Sequence, residues 1–220
     1  VILLKQGKGE KMTIGRFFPG DLQPTTTVAG CIDIYENAWP DPEKTIEMVE
    51  SQVNTAGSGI FWSKATTIGF GKNQNARTNL HMGVSYFARE TGSPVMEHIH
   101  NQMYVLLMAS LEGYRKRYGI QEQLWHEDYN MLKYKGGTEY KAHYDGDTST
   151  RRSVSAIIYL NKDYEGGHVE FTNFGIKIKP EPGMLLLFPS NYAYTHIAHP
   201  VVSGTKYALV TWTQDQPMQM

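Results

Sequence analysis

Apolar and polar positions follow two rhythms along the chain. In CIDIYENAW (31–39), Ile32 and Ile34 alternate with Asp33 and Tyr35, a period-two pattern that predicts a strand. Pro40-Asp41-Pro42 ends it and opens a helix over 42–54, with Glu43 well placed in the first turn. Residues 55–93 are rich in Gly, Asn and Thr and read as loop, with a short strand near 59–63. The helical rhythm is clearest over 94–118, where Val95, Ile99, Met103, Leu106, Leu107 and Tyr114 share one side. This is the pattern of a core-packing helix. His98 and His100 lie on it two positions apart, point in different directions and make poor joint ligands.

After Gly119 the rhythm shortens. Strands are predicted over 128–134, 138–144, 152–161, 167–172, 175–179, 183–188, 193–198 and 205–213. The turn signals between them are Gly136-Gly137, Gly146-Asp147, Gly166-Gly167, Asn173-Phe174-Gly175, Pro182-Gly183 and Ser203-Gly204. Many short strands at this spacing imply a β-sandwich or jelly roll. The expected fold class is α+β, mainly β, with helices 42–54 and 94–118 covering one sheet. No repeat or linker divides the chain. The expected organisation is an N-terminal arm over 1–29, carrying one short strand, followed by a single domain over 30–216.

Composition narrows the function classes. Of 220 residues, 40% are apolar and 12% aromatic, enough for a substantial core. A net charge of −1 provides no general attraction to nucleic acid or an anionic membrane. The lone Cys31 forms no internal disulfide, so nothing asks for an oxidising compartment. No apolar run reaches the roughly 18 residues of a transmembrane span. The opening VILLKQGKGEKM has too short an apolar stretch for a signal peptide, and it lacks an initiator Met. The expectation is a soluble, cytoplasmic protein, with no membrane or nucleic-acid partner.

The chemistry centres on YKAHYDGD (140–147). His143 and Asp145 are two apart on a predicted strand, so their side chains share a face. His168, His196 and His199 are the candidates for a third ligand from a distant strand. Two imidazoles and one carboxylate make a facial triad, which suits Fe(II) and leaves three coordination positions open. Zinc more often draws three or four N or S ligands, and no cysteine lies nearby. A His-x-Asp tripeptide alone is common and carries little weight. Lys206 adds more, because it enters the apolar strand of Tyr207, Ala208, Leu209, Val210 and Trp212. Such a lysine either snorkels to solvent or holds an anionic group by a charge-assisted bond.

Taken together, these residues resemble the Fe(II)/2-oxoglutarate-dependent oxygenases, and within them the prolyl 4-hydroxylase branch. The matching stretches are Tyr134 to Asp145, Arg152 to Asn161, Gly166-Gly167, Pro182-Gly183 and His196-Ile-Ala-His-Pro-Val-Val-Ser-Gly-Thr-Lys206. They cover roughly 126–213, the expected catalytic core, and more weakly 31–54. The resemblance implies a double-stranded β-helix, the jelly-roll variant of that family. It implies that His143, Asp145 and His196 hold Fe(II). Lys206 would pair with the distal carboxylate of 2-oxoglutarate, and Tyr134 would donate a hydrogen bond to the same group. It places Tyr140, Arg152 and Trp212 along the substrate approach, where packing is their bland alternative. No catalytic residue is expected beyond the metal and co-substrate ligands. O2 would be the oxidant and ascorbate a reductant.

The reaction so implied is hydroxylation of an unactivated C–H bond, with release of succinate and CO2. A prolyl residue in a peptide or protein is the expected target; a free amino acid or other small molecule is the alternative. Nucleic-acid demethylases of the superfamily typically hold the co-substrate with Arg, which Lys does not imitate. Two departures from the family pattern stand out: Val169 replaces a common Thr, and His199 follows the distal histidine. Two rivals share the fold class: a non-catalytic jelly-roll module, and a cupin-type metal enzyme with no need of Lys206.

Overall fold

The computed structural model describes residues 22–65, 77–146 and 150–215. Residues 1–21 of the expected arm, 66–76 of the expected loop, Asp147 and residue 216 lie outside the described residues. The chain runs through β1 (Thr26–Val28), β2 (Ile32–Tyr35), α1 (Pro42–Asn54), β3 (Ser63–Lys64) and β4 (Leu80–Gly83). Helices α2 (Val84–Thr91) and α3 (Pro94–Arg117) follow, then β5 (Trp125–His126), β6 (Asn130–Lys135) and β7 (Tyr140–His143). Next come β8 (Arg152–Tyr159), β9 (Tyr164–Gly166), β10 (Val169–Phe171), β11 (Ile176–Ile178) and β12 (Leu185–Pro189). A short 3-10 turn at Tyr192–Tyr194 leads to β13 (His196–Ala198) and the long β14 (Val201–Gln214).

The strands form two antiparallel sheets. The larger has the order β1-β2-β12-β8-β14-β6-β4-β3, with β5 and β9 also paired to β14; the smaller is β11-β10-β13-β7. This is the expected jelly roll, with the helices on one side of the larger sheet. Period-two alternation explains how that sheet is buried on both faces. In β12, Leu185 and Leu187 join the helix-side core, while Leu186 and Phe188 join the core with Phe171 and Val169 of the smaller sheet. In β14, Tyr207 and Leu209 face the helices. Ala208 therefore faces the inter-sheet space, and Lys206, two positions earlier, shares its side.

Helix α3 forms as its pattern predicts. Ser93 caps it by accepting from the Met96 N–H, Pro94 occupies the first turn, and Arg115, Lys116 and Arg117 oppose the dipole in the last. Its buried stripe includes Met96, Ile99, Met103, Leu107 and Tyr114, packed with Val49 of α1 and with Met131, Ile158 and Leu209 of the sheet. His100 on this helix is hydrogen-bonded to Ser85 through Nδ1, at 3.0 Å.

Three local expectations need correction, and a fourth, the break at Gly166-Gly167, falls between strands as expected. Residues 84–91, read as loop, form α2: Val84 and Phe87 are buried, and Gly92 ends the helix at φ 61°. An amphipathic pattern of two turns is too short to stand out beside a Gly- and Asn-rich neighbourhood. The short strand expected near 59–63 lies at Ser63–Lys64, where it pairs with β4. The Gly166-Gly167 signal marks a crossing between sheets, since β9 pairs with β14 and β10 with β11 and β13. Ser203-Gly204 does not end a strand. It lies inside β14, at a register shift against β9. Gly204 has φ +80°, and a Cβ there would lie 2.7 Å from the Asp163 carbonyl oxygen, so glycine bends the strand without breaking it. No helix among the described residues is long and apolar enough to cross a membrane.

Candidate metal centre and its cavity

Strand pairing assembles the centre. His143 ends β7 and His196 opens β13, and the two are register partners across adjacent antiparallel strands. Their rings lie 4.3 Å apart. Asp145 sits just past the end of β7, not on the strand as expected, yet its carboxylate returns to the same point. Oδ1 is 3.5 Å from His143 Nε2 and Oδ2 is 3.8 Å from His196 Nε2. One ligand-capable atom from each residue lies within 4.8 Å of the others, within reach of a single ion.

Both imidazoles are fixed in one tautomer. His143 Nδ1–H donates to the Lys141 carbonyl at 2.7 Å, and His196 Nδ1–H donates to the Tyr194 carbonyl at 3.1 Å. A carbonyl only accepts, so the proton sits on Nδ1 and each Nε2 lone pair is free on the side of Asp145. His143 is held flat against Tyr140, with ring centroids 3.4 Å apart. Phe171 and Phe188 pack around His196. Ser155 donates to Asp145 Oδ2 at 2.7 Å and shares a 2.8 Å hydrogen bond with Ser190. Gly146 lets the chain pass close by: a Cβ there would meet the Arg152 carbonyl oxygen at 2.3 Å.

Burial lowers the His196 pKa to about 4, and His143 adds to the effect. His196 is therefore neutral at pH 7. Burial pushes the Asp145 carboxyl up, but the two histidines and the Ser155 hydrogen bond outweigh it and hold the group well below the usual carboxylate range. The centre thus offers a carboxylate and two imidazole rings, the donor groups that bind a metal when deprotonated.

The same cavity contains the ammonium. Lys206 is 3% exposed and is the register partner of Tyr134 across β14 and β6. Its Nζ donates to the Gly167 carbonyl and lies 4.9 Å from the Tyr159 ring and 5.6 Å from that of Tyr134. Among the described residues no carboxylate pairs with it. Burial alone lowers its pKa to about 7. Burial also raises the Tyr134 hydroxyl to about 12, so Tyr134 remains a hydrogen-bond donor at neutral pH. Apolar side chains, Leu132, Ile157, Val169, Ala208 and Val210, form much of the lining around these groups.

Tyr140 and Trp212 line the cavity as well. Arg152 meets it through Trp212: its guanidinium carbon lies 3.7 Å from the indole centroid. The same guanidinium makes a two-point ion pair with Glu127, both bonds 2.7 Å. Glu127, Ser155 and Arg77 were missed at the sequence level. Arg77 lines the cavity, 4.9 Å from the Tyr140 ring centroid, with Nε bonded to Asn79. It lies some 60 residues before the motif region, and only pairing of residue 77 with 140 brings it in. His168 and His199, the other candidates for the third ligand, are stacked on each other in a separate cluster with Glu170.

A double-stranded β-helix thus sets a His-Asp-His cluster and a buried lysine in one cavity. Residues 116–214 match the family described as the 2OG-Fe(II) oxygenase superfamily. Probable prolyl 4-hydroxylase 9 of Arabidopsis thaliana is 31% identical over 122 residues, covering 42% of this chain and 42% of its own length. Prolyl 4-hydroxylase 13 of the same plant is 27% identical over 121 residues, covering 42% of this chain and 44% of itself. The chain therefore spans less than half the length of these curated relatives. Among solved structures, it is similar to a Trichoplax adhaerens prolyl hydroxylase in complex with a hypoxia inducible factor oxygen degradation domain peptide fragment. That match has TM-score 0.66 and 19% identity, covering 85% of this chain and 84% of the other. A Pseudomonas putida prolyl-4-hydroxylase matches with TM-score 0.60 and 16% identity, covering 85% and 94%. At these identities the structural matches establish the fold.

Proposed function

We propose that this protein is an Fe(II)- and 2-oxoglutarate-dependent dioxygenase that hydroxylates a prolyl residue in a peptide or protein. The observation that carries the proposal is Lys206. A buried ammonium, hydrogen-bonded to a carbonyl and with no carboxylate partner among the described residues, shares a cavity with two imidazoles and a carboxylate. A buried cation without a counter-charge is costly, and a bound dicarboxylate would supply one.

The residues fit the cofactors on donor chemistry. His143, Asp145 and His196 would hold the iron, and Lys206 and Tyr134 would take the distal carboxylate of 2-oxoglutarate. Iron with 2-oxoglutarate supplies the power to place one oxygen atom of O2 in a C–H bond, with 2-oxoglutarate leaving as succinate and CO2. The protein's own part is orientation and exclusion of water. The Lys141 and Tyr194 carbonyls aim the two Nε2 lone pairs, and Ser155 steadies the carboxylate. Lys206, with its pKa near 7, takes up a proton as the carboxylate arrives. The apolar lining keeps water from the reacting carbon. Tyr140, Trp212 and the Arg152–Glu127 pair form the wall against which a prolyl ring and its flanking peptide lie.

The test is incubation with Fe(II), 2-oxoglutarate, ascorbate and air. Proline-rich peptides should gain the mass of one oxygen atom, with one succinate formed per product. Methylated oligonucleotides and free amino acids serve as comparison substrates. Absence of both Fe(II) binding and 2-oxoglutarate turnover would leave a non-catalytic jelly-roll module as the better reading.

A further inference from the structure

A second His-x-carboxylate pair stands at β10, in His168-Val169-Glu170. Val169 lines the cavity, so alternation turns His168 and Glu170 toward the opposite side of the small sheet. The residue just past the neighbouring strand β13 supplies a third group. Val169 pairs with Ala198, and the His199 N–H donates to the His168 carbonyl at 2.9 Å. The His199 ring stacks on that of His168 with centroids 4.0 Å apart, and its Nε2 lies 2.7 Å from Glu170 Oε2. One ligand-capable atom from each of the three lies within 4.8 Å of the others. The segment of β13 and the residue after it therefore contribute to two clusters, with His196 beside His143 and Asp145, and His199 beside the His-x-Glu of β10.

We propose that His168, Glu170 and His199 form a second metal site, for a borderline divalent transition ion such as Zn2+. Two imidazoles select against hard ions such as Ca2+ and Mg2+, which take oxygen. Two histidines, one glutamate and a water are an established zinc donor set. All three residues are half-buried, so the fourth position opens to water. His168 has its Nε2 buried without a hydrogen-bond partner, a cost that coordination on this ring removes. The nearby Lys177 Nζ, 3.5 Å from Glu170 Oε2, is the competing cation. Its side chain is 60% exposed and can swing into solvent. The ion would staple β10 to β13 beside Gly167, whose carbonyl receives Lys206. This site is independent of the function proposed above.

The experiment is a Zn2+ titration of the whole chain after removal of bound metal, with stoichiometry read by calorimetry. Wild type should bind two equivalents. His168→Ala and His199→Ala should each bind one. The His143→Ala/Asp145→Ala double variant should keep one, with a raised melting midpoint on Zn2+ addition, and adding His199→Ala to it should leave none. Glu170→Gln in the double-variant background should bind at least tenfold more weakly, and thermal melts without metal check that each variant folds. The proposal is overturned if the double variant binds no Zn2+, or if its remaining equivalent survives both His168→Ala and His199→Ala. A wild type that binds one equivalent, lost with His168→Ala and with His199→Ala but kept by the His143→Ala/Asp145→Ala variant, supports this site and counts against the iron centre.

Discussion

Replacing Lys206 with Met separates what the buried ammonium costs from what it does. The Lys206 pKa is about 7 against an ordinary 10.5, and burial is the cause. A depression of that size corresponds to a penalty on the order of 5 kcal/mol for the protonated side chain. The hydrogen bond to the Gly167 carbonyl returns part of it, about 1.5–3 kcal/mol for a bond to a charged group. Met fills a similar volume between Tyr134 and Tyr159 and leaves one carbonyl unpartnered. The expected net effect is a gain of about 1–2 kcal/mol at pH 7 without 2-oxoglutarate. The pH dependence follows from the direction of the shift. Between about 7 and 10.5 the unfolded chain holds a proton that folded Lys206 has lost, so wild-type stability rises with pH across that window. Below it the full penalty applies. The Met variant lacks this component. Urea denaturation at pH 7 and pH 9.5, with and without 2-oxoglutarate, measures every part. Ligand at a hundred times its Kd should stabilise wild type by about 2.7 kcal/mol and the variant far less. A variant less stable than wild type by over about 1 kcal/mol at pH 7 would refute the energetic reasoning. Equal stabilisation of both proteins by 2-oxoglutarate would remove Lys206 as the carboxylate anchor.

Three further outcomes are expected. Ser155→Ala removes the 2.7 Å hydrogen bond to Asp145 and should weaken Mn2+ or Fe(II) binding by about 10–100-fold, measured by titration; unchanged affinity would count against Asp145 as a ligand. Arg152→Lys loses the two-point pair with Glu127 and the stacking on Trp212, so peptide KM should rise roughly tenfold while peptide-independent 2-oxoglutarate turnover stays within about twofold. Equal loss of both activities would make Arg152 purely structural. Gly204→Ala forces a Cβ against the Asp163 carbonyl at a positive φ and should cost at least about 1–3 kcal/mol by thermal or chemical melts, whereas a neutral result would mean β14 can unbend there.

Much of the jelly roll was legible because most of its strands are short apolar runs, and most of the glycine, proline and asparagine breaks fall between them. Alternation carried the site. His143 and Asp145 differ by two, and Lys206 shares parity with Ala208 and Val210 of the inter-sheet face. What alternation cannot supply is a partner. The pairing of His196 with His143, and of Arg77 with Tyr140, depends on strand register and on loop paths that leave no local mark. Ser155 looks like any small residue in an apolar strand until β12 brings Ser190 against it and the turn after β7 delivers Asp145. Helix α2 was hidden for a related reason: two turns carry little periodic signal, and its burial against α3 and β6 is tertiary. The three histidines left open as third ligand show where the boundary lies. His196 opens β13 and His199 stands just past its end, three positions on and in the cluster on the other face. His168, next to cavity-facing Val169, is turned to that face by alternation. Position along the chain thus sorts the histidines onto two faces, and register decides which carboxylate each face receives: Asp145 within the barrel, Glu170 on its outside.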